Sequence, residues 1–166
     1  GKVGLYRLEV GLSAGTGKMK FIGGIDKSMK ESIQRAFAYI EGHKSDFDIG
    51  RVFDSIDFNI QAIDLIGNKV PCECGIAIFV AIHSAIKKQS SLPAAIITGD
   101  MTIQGNIKGI RNLTELLRIT MESGAKRALI PLENKRALLE IPGEIIEKVD
   151  AIFYSETISA VVKALG

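Results

Sequence analysis

The stretch Val70–Gly75, VPCECG, carries the only two cysteines of the chain, Cys72 and Cys74, on either side of Glu73. An apolar run, IAIFVAI, follows at once, so the thiols stand where a buried helix should begin. A thiol at a helix N-terminus has its thiolate stabilised by the helix dipole and can act as a nucleophile. Such catalysis also needs a base, and the neighbouring Glu73 raises a thiol pKa rather than lowering it. Structural cysteines are therefore the competing reading. A zinc site would require more ligands, and the only histidines are His43 and His83. C-x-C is tighter than the usual zinc spacing, and His83 falls mid-helix among apolar residues, where a satisfied or partly exposed core histidine is expected.

The loop GLSAGTGK invites a phosphate. A Walker loop needs glycine five residues before the Gly-Lys pair, but that place is Leu12, and Met19 stands where Ser or Thr should hold Mg²⁺. The dinucleotide pattern fails as well, because Lys20 occupies its third glycine. A glycine-rich hairpin connection is the expectation. For acid–base work Glu73, Asp100 and Glu115 would have to meet in space, which spacing alone does not show.

The elements that must position these groups are legible as patterns. Leu5 to Leu12 alternates apolar and polar residues, the period of a half-buried strand, and KMKFIGG predicts a second strand ending in a glycine turn. Ser28 and Glu31 form an S-x-x-E capping box before the stripe Ile33, Phe37, Ile40, with a stop near Gly42. Asp46 to Ser55 is ambiguous. Ile56 to Ala62 alternates again, residues 66–74 form a loop, and Gly75 to Lys88 predicts a helix that is apolar nearly all round. AAIITGD and MTIQGNIK predict strands, the second with a turn at Gly105–Asn106. Asn112 should cap a helix to Ser123, with Glu115 as reciprocal partner and Gly124 as stop. ALIP is a strand, residues 133–140 are helical, AIFY is a strand, and Ser155 caps a final helix through Leu165. Strands followed by βα units argue for one α+β domain without repeats or linkers.

Bulk properties narrow the partners. At 166 residues the chain suits a single domain. A net charge of +2, with basic residues scattered, gives no footprint for nucleic acid. Two cysteines one residue apart are no disulfide framework and suit a reduced, cytoplasmic setting. Lys2, Tyr6, Arg7 and Glu9 interrupt any apolar leader, and the longest apolar run is far short of a membrane span. The chain starts at Gly1 without a Met, as a fragment would.

Three ordered blocks carry a resemblance. GLYRLEVGLSAGTGKMKFIGGIDKSMKESIQRAFAYI resembles the opening of the proteolytic domain of Lon proteases, with its G-x-G-K hairpin, glycine turn and E-S-I-Q helix. IITGDMTIQGNIKGIRNLTELL is similar to the Lon stretch M-T-G-E-I-T-L-R-G-x-V-L-P-I-G-G-L-K-E-K-L, and GAKRALIPLENKRALLEIPGEI to its G-I-K-x-x-L-I-P-x-E-N. The likeness covers nearly all of residues 1–166. It implies the α+β Lon proteolytic-domain fold (ribosomal protein S5 domain 2-like), mixed strands with packed helices.

Lon peptidases use a Ser–Lys dyad, in which the lysine activates the serine hydroxyl. The family serine motif D-G-P-S-A-G falls on Val70–Gly75, which puts Glu73 at the nucleophile's place. The lysine motif falls on Arg111–Leu117, which puts Leu116 at the base's place, and Thr98 matches the threonine that orients that lysine. Cys72, Cys74, Thr98 and Thr114 are the neighbouring groups with any chemistry. The resemblance thus implies a domain that lacks the dyad. The ending IPGEIIEKVDAIFYSETISAVVKALG looks like the C-terminus of the Lon-like proteins of BREX phage-defence systems. That branch implies an AAA+ ATPase upstream that binds ATP and Mg²⁺, a homo-oligomeric ring (hexamer or larger), DNA engaged through other domains, and no membrane. A working ATP-dependent peptidase using Cys72, Cys74 or a residue of a neighbouring subunit is the alternative.

Overall fold

The computed structural model describes residues 3–166. Two three-stranded sheets share one central helix. The first sheet comprises β1 (Tyr6–Ala14), β2 (Met19–Gly23) and β3 (Ile56–Asp64), in the order β1-β3-β2. The alternation in β1 has its expected cause. Tyr6, Leu8 and Val10 pack on the core, while Arg7 and Glu9 point outward and pair at 3.2 Å. β1 runs antiparallel to β3 and β2 runs parallel to it. β3 therefore separates β1 from β2, and the loop between them is not the hairpin expected. A turn joining neighbouring strands cannot be told by composition from one joining strands that later admit a third.

Between β2 and β3 lie α1 (Lys27–His43) and the single turn α2 (Gly50–Phe53). The stripe on α1 is buried as read, through Met29, Ile33, Ala36, Phe37 and Ile40. Its cap is different. Asp26, not Ser28, is the N-cap and accepts from the Met29 N–H at 2.9 Å, so Ser28 and Glu31 fall inside the helix. A carboxylate carries full charge to the helix N-terminus, which a hydroxyl cannot match. Gly42 also stays helical.

α3 (Gly75–Lys87) is the central element and packs against α1, β1 and the C-terminal α6 (Thr157–Leu165). Because neighbours surround it, Ile76, Ile78, Phe79, Val80 and Ile82 are all buried, which explains a helix without a polar face.

The second sheet is wholly parallel: β4 (Ala95–Ile97), β7 (Arg127–Pro131) and β8 (Asp150–Tyr154), in the order β4-β7-β8. AAIITGD is thus split. Its end, β5 (Asp100–Met101), leaves the sheet to form a hairpin with β6 (Ile107–Lys108). α4 (Leu113–Glu122) links β6 to β7, and a 3₁₀ segment (Leu132–Glu140) with the short α5 (Gly143–Ile146) links β7 to β8. Successive β7 side chains face opposite cores. Leu129 joins the large core around α3, and Ala128 and Ile130 join a smaller one with Leu113, Leu117, Ile141 and Ile145. A parallel sheet covered on both faces is the expected consequence of its helical crossovers.

Two further caps depart from expectation. Asn112 precedes α4 in a left-handed conformation and makes no side-chain cap bond, while Glu115 pairs with Arg118 at 3.4 Å. A capping side chain reaches the N2 and N3 amides from extended backbone, which Asn112 does not have. For α6 the N-cap is Glu156 rather than Ser155, and its N–H donates to the Ser159 hydroxyl at 3.1 Å. Among the described residues no helix is long and apolar enough to cross a membrane.

Candidate functional site

The loop after β3 runs over the molecule and delivers Cys72, Glu73 and Cys74 to the start of α3. What holds it there is a buried polar relay. The Cys74 N–H donates to Ser32 Oγ (3.1 Å), whose hydroxyl donates to Asp100 Oδ1 (2.8 Å). Asp100 is fully buried, and Arg35 from α1 completes the relay by donating to its Oδ2 at 2.7 Å. A buried carboxylate without such a partner would be very costly. Gly75 follows from this packing, because a Cβ there would lie 2.2 Å from Asp100 Oδ1. Gly99 is crowded in the same way, since a Cβ there would come within 2.1 Å of the Tyr154 hydroxyl. That hydroxyl donates to the Thr98 carbonyl, and burial raises its pKa, so the phenol remains a donor.

In front of this anchor opens a cleft of about 1070 Å³. One wall is β1, the 65–74 loop and the small-residue face of α3, including Ala77, Ala81 and Ser84. The other is β4, the segment Ile110–Asn112 and one face of α4, including Leu116, Ile119 and Thr120. Glu73 and Leu116, some forty residues apart in sequence, both line it. So do Cys72, Cys74 and Thr98. Glu73 is exposed and Leu116 half-buried against the smaller core. No lysine or histidine is among the described residues that line the cleft, where Arg7 and Arg111 are the cationic side chains and neither can take up a proton.

The remaining candidates are kept apart. Thr114 lies outside the cleft, in a shallow depression of about 400 Å³ with Glu115, Arg118 and Asn134. Glu73, Asp100 and Glu115 do not converge, because Asp100 is sealed behind Gly75 and Glu115 sits in that second depression. The Thr98 hydroxyl donates to the Leu129 carbonyl at 2.6 Å.

Each thiol has a distinct setting. Cys72 is half-buried and Cys74 buried. The neighbouring Cys72 side chain, with burial behind it and the Asp100 charge nearby, raises the Cys74 pKa well above the ordinary thiol range; Ser32 opposes the shift. Cys74 is therefore a protonated thiol at neutral pH, which its place at a helix start did not suggest. The dipole argument omitted the neighbouring Cys72 side chain and the burial of the thiol.

His83 is buried, as expected, but only half satisfied. Nδ1 lies 2.8 Å from the Phe79 carbonyl, while Nε2 has no partner among the described residues. Phe47 and Phe79 flank the ring, and burial pushes its pKa down to about 4. His43, exposed at the end of α1, bonds the Tyr39 carbonyl at 2.9 Å. Among the described residues no three His, Cys, Asp or Glu side chains group as metal ligands would.

The glycine-rich loop does cradle an anion, but one of the chain's own. The Thr16 and Lys18 amides each donate to Asp57 Oδ1 at 3.0 Å, and Lys20 Nζ lies 3.7 Å from Oδ2. The two amides lower the Asp57 pKa most, and Lys20 adds to the effect. Gly15 has to be glycine here, since a Cβ would meet the Asp57 carboxylate at 2.1 Å. An alternating strand gave no reason to single out Asp57. The unexplained glycines opposite it were the only available signal.

Comparison with known proteins agrees with this architecture. A model of the Lon protease (S16) C-terminal proteolytic domain matches residues 3–165. The "Lon-like protease BrxL" of Escherichia coli O9:H4 (strain HS) is 30% identical over 167 aligned positions, which cover 100% of this chain and 24% of that protein. The protein of the same name from Bacillus cereus (strain H3081.97) is 28% identical, covering 100% and 25%. The "Lon protease" of Buchnera aphidicola subsp. Schizaphis graminum (strain Sg) is 33% identical over 144 positions, 86% of this chain and 18% of that protein. The chain thus spans about a quarter or less of the length of these relatives.

Proposed function

Because the chain belongs to the family of Lon protease C-terminal proteolytic domains, we propose that it is a Lon-fold module which does not itself cleave peptides and which serves assembly within a longer Lon-related protein. The observation that carries this reading is the lining of the cleft. Glu73 and Leu116, the residues on which the sequence motifs put the family's serine and lysine, both line it, and no lysine or histidine does so among the described residues. A carboxylate is a poor nucleophile toward an amide, and leucine takes no proton. The side chains around them leave little to substitute. Thr98 spends its hydroxyl on a backbone carbonyl, Cys74 is a protonated thiol, and Asp100 is neutralised by Arg35. Losing one member of a coupled catalytic set costs orders of magnitude in rate, and here both are replaced.

The rest of the proposal concerns the longer protein. ATP and Mg²⁺ are bound by an AAA+ segment outside this chain, the subunits form a ring of six or more in the cytoplasm, and DNA is engaged by other domains, in a phage-defence role. The two relatives named BrxL support that setting by likeness.

The test is degradation of unfolded casein by the full-length protein, with and without ATP. No turnover is expected from the natural sequence. Turnover that disappears in a Cys72→Ala/Cys74→Ala variant would overturn the proposal in favour of a cysteine peptidase. Turnover that survives that variant would point to a residue from a neighbouring subunit.

A further inference from the structure

The face of α3 turned away from the cleft carries a buried polar atom that the proposed role leaves idle. His83 stands two residues beyond Ala81, which places it across the helix from the cleft wall. It is wholly buried. Its Nδ1 lies 2.8 Å from the Phe79 carbonyl, which can only accept, so Nδ1 carries the hydrogen and Nε2 the bare lone pair. Nε2 has no partner among the described residues. We propose that residues 45–48, in the connector between α1 and α2, form an acid-released flap over His83: a proton on Nε2 drives Phe47 off the ring and frees the flap while α3 stays folded.

Two rings flank the imidazole, and only one of them can move alone. Phe79, with ring centroids 4.5 Å apart, belongs to α3 itself and is fully buried, so it cannot leave without the helix. Phe47, edge-on at 5.3 Å, is half-buried and stands on the connector. The backbone bonds there are local. The Asp46 N–H donates to the His43 carbonyl (2.9 Å), the Asp48 N–H to Ser45 (3.3 Å) and the Ile49 N–H to Lys44 (3.2 Å). Asp48 is held at φ 59°, a left-handed backbone that stores strain in a residue other than glycine. Lys44, paired with Asp54, and the buried Ile49 are the fixed ends. Between those ends, the flap is tied to the body through the ring contacts of Phe47 with Tyr39, Phe79 and His83.

A proton on Nε2 creates a buried charge without an acceptor, which is costly until water reaches it. Displacing Phe47 is the shortest way to admit water. The sign follows from linkage. An uncovered ring titrates near 6.5 and the covered one at about 4, so falling pH favours the open flap through that window. The surrounding charges do not reverse this. On α3, Lys87 repels the proton. On the flap, Asp46 and Asp48 are exposed on either side of Phe47 and draw a cation outward. On α1, His43 is bonded to the Tyr39 carbonyl and Arg35 to Asp100 of β5. On β1, Arg7 is paired with Glu9, and on α6 Lys163 is bonded to the Phe153 carbonyl. The flap goes beyond the assembly role and does not rest on it.

The experiment is hydrogen exchange of the full-length protein at pH 7 and pH 4.5, read by mass spectrometry, with labelling times lengthened at the lower pH to offset its slower chemical exchange. In a peptide spanning residues 44–53, opening should rise by about 50-fold between the two conditions, the ratio expected for a ring that titrates near 6.5 open and at about 4 closed. Peptides from α3 should stay unlabelled in the same pulse. His83→Phe should abolish the rise, and so should His83→Gln, which keeps a polar group but takes no proton. A flap already unprotected at pH 7 overturns the proposal, as does one equally protected at both. Labelling of α3 together with residues 44–53 would mean that the whole fold opens, and a rise that persists in both variants would assign it to another group; either result overturns the flap. The comparison with α3 uses the natural sequence, so it stands even if a variant fails to fold.

Discussion

At the scale of single residues, His83 makes the sharpest statement. Its neutral ring is sealed among Phe47, Phe79 and the helix, and burial holds its pKa at about 4 against an ordinary 6.5. Below pH 6.5 the unfolded chain binds a proton that the folded chain refuses until about pH 4, so stability falls as pH falls through that window. The full loss is roughly 3 kcal/mol. Urea titrations at pH 7 and pH 4.5 should show this drop in the natural protein and a much smaller one in His83→Phe, where no proton can bind. An equal drop in both would place the acid sensitivity elsewhere. Asp57 acts in a separate window. Its pKa is lowered from 3.8 by the Thr16 and Lys18 amides, so its contribution is complete above that value and is lost only as pH falls below it. Asp57→Asn should lower the urea midpoint at pH 7. The gap to the natural protein should close as the carboxylate of the latter is protonated.

At the scale of elements, the question is what fixes the head of α3, since that sets the cleft rim. The helix has no side-chain cap of its own, and its anchor comes from α1 and β5 through Ser32, Arg35 and Asp100. Arg35 is partly exposed, whereas Asp100 is wholly buried. Removing the arginine therefore strands a charge inside the protein. Arg35→Met should cost about 2–3 kcal/mol in unfolding free energy, at the lower side of what a broken buried pair costs because water reaches the guanidinium. Arg35→Met/Asp100→Asn should recover part of that loss, since a neutral amide tolerates burial better. If the double variant is as unstable as the sum of the singles, the pair is not the anchor. α3 itself would survive the single change, because its apolar sides are covered by α1, α6 and β1.

At the scale of the whole molecule, two cores lie on opposite faces of the parallel sheet, and the cleft opens between the first sheet with α3 and the second sheet with α4. Exposed apolar side chains outside the cleft, among them Ile22, Leu139 and Val162, lie on separate elements. The proposed role in assembly makes a direct forecast. Deleting residues 3–165 from the full-length protein should lower its mass in light scattering from a ring to a smaller species. An unchanged ring would move the assembly role to other domains.

Much of this was open to a reader of the sequence alone. Apolar period set β1, α1, β3, α3 and the βα units, because a buried stripe leaves its spacing in the chain, and the ordered blocks at residues 4–40, 96–117 and 124–145 pointed to the family before any fold was known. The sequence also placed Glu73 and Leu116 in its motifs. It was silent wherever a group's behaviour depends on a partner distant in the chain. That Asp26 outranks Ser28 as a cap, that β3 enters between β1 and β2, and that the glycine loop holds Asp57 all follow from approaches a linear pattern does not contain. The same is true of Asp100, which neutralises Arg35, anchors Cys74 through Ser32 and demands glycine at position 75. The resemblance to the family's motifs singled out Glu73 and Leu116 as the positions to inspect. Only tertiary structure decided what the remaining thiols, carboxylates and histidine became, because pKa and reactivity are set by burial and neighbours rather than by sequence position.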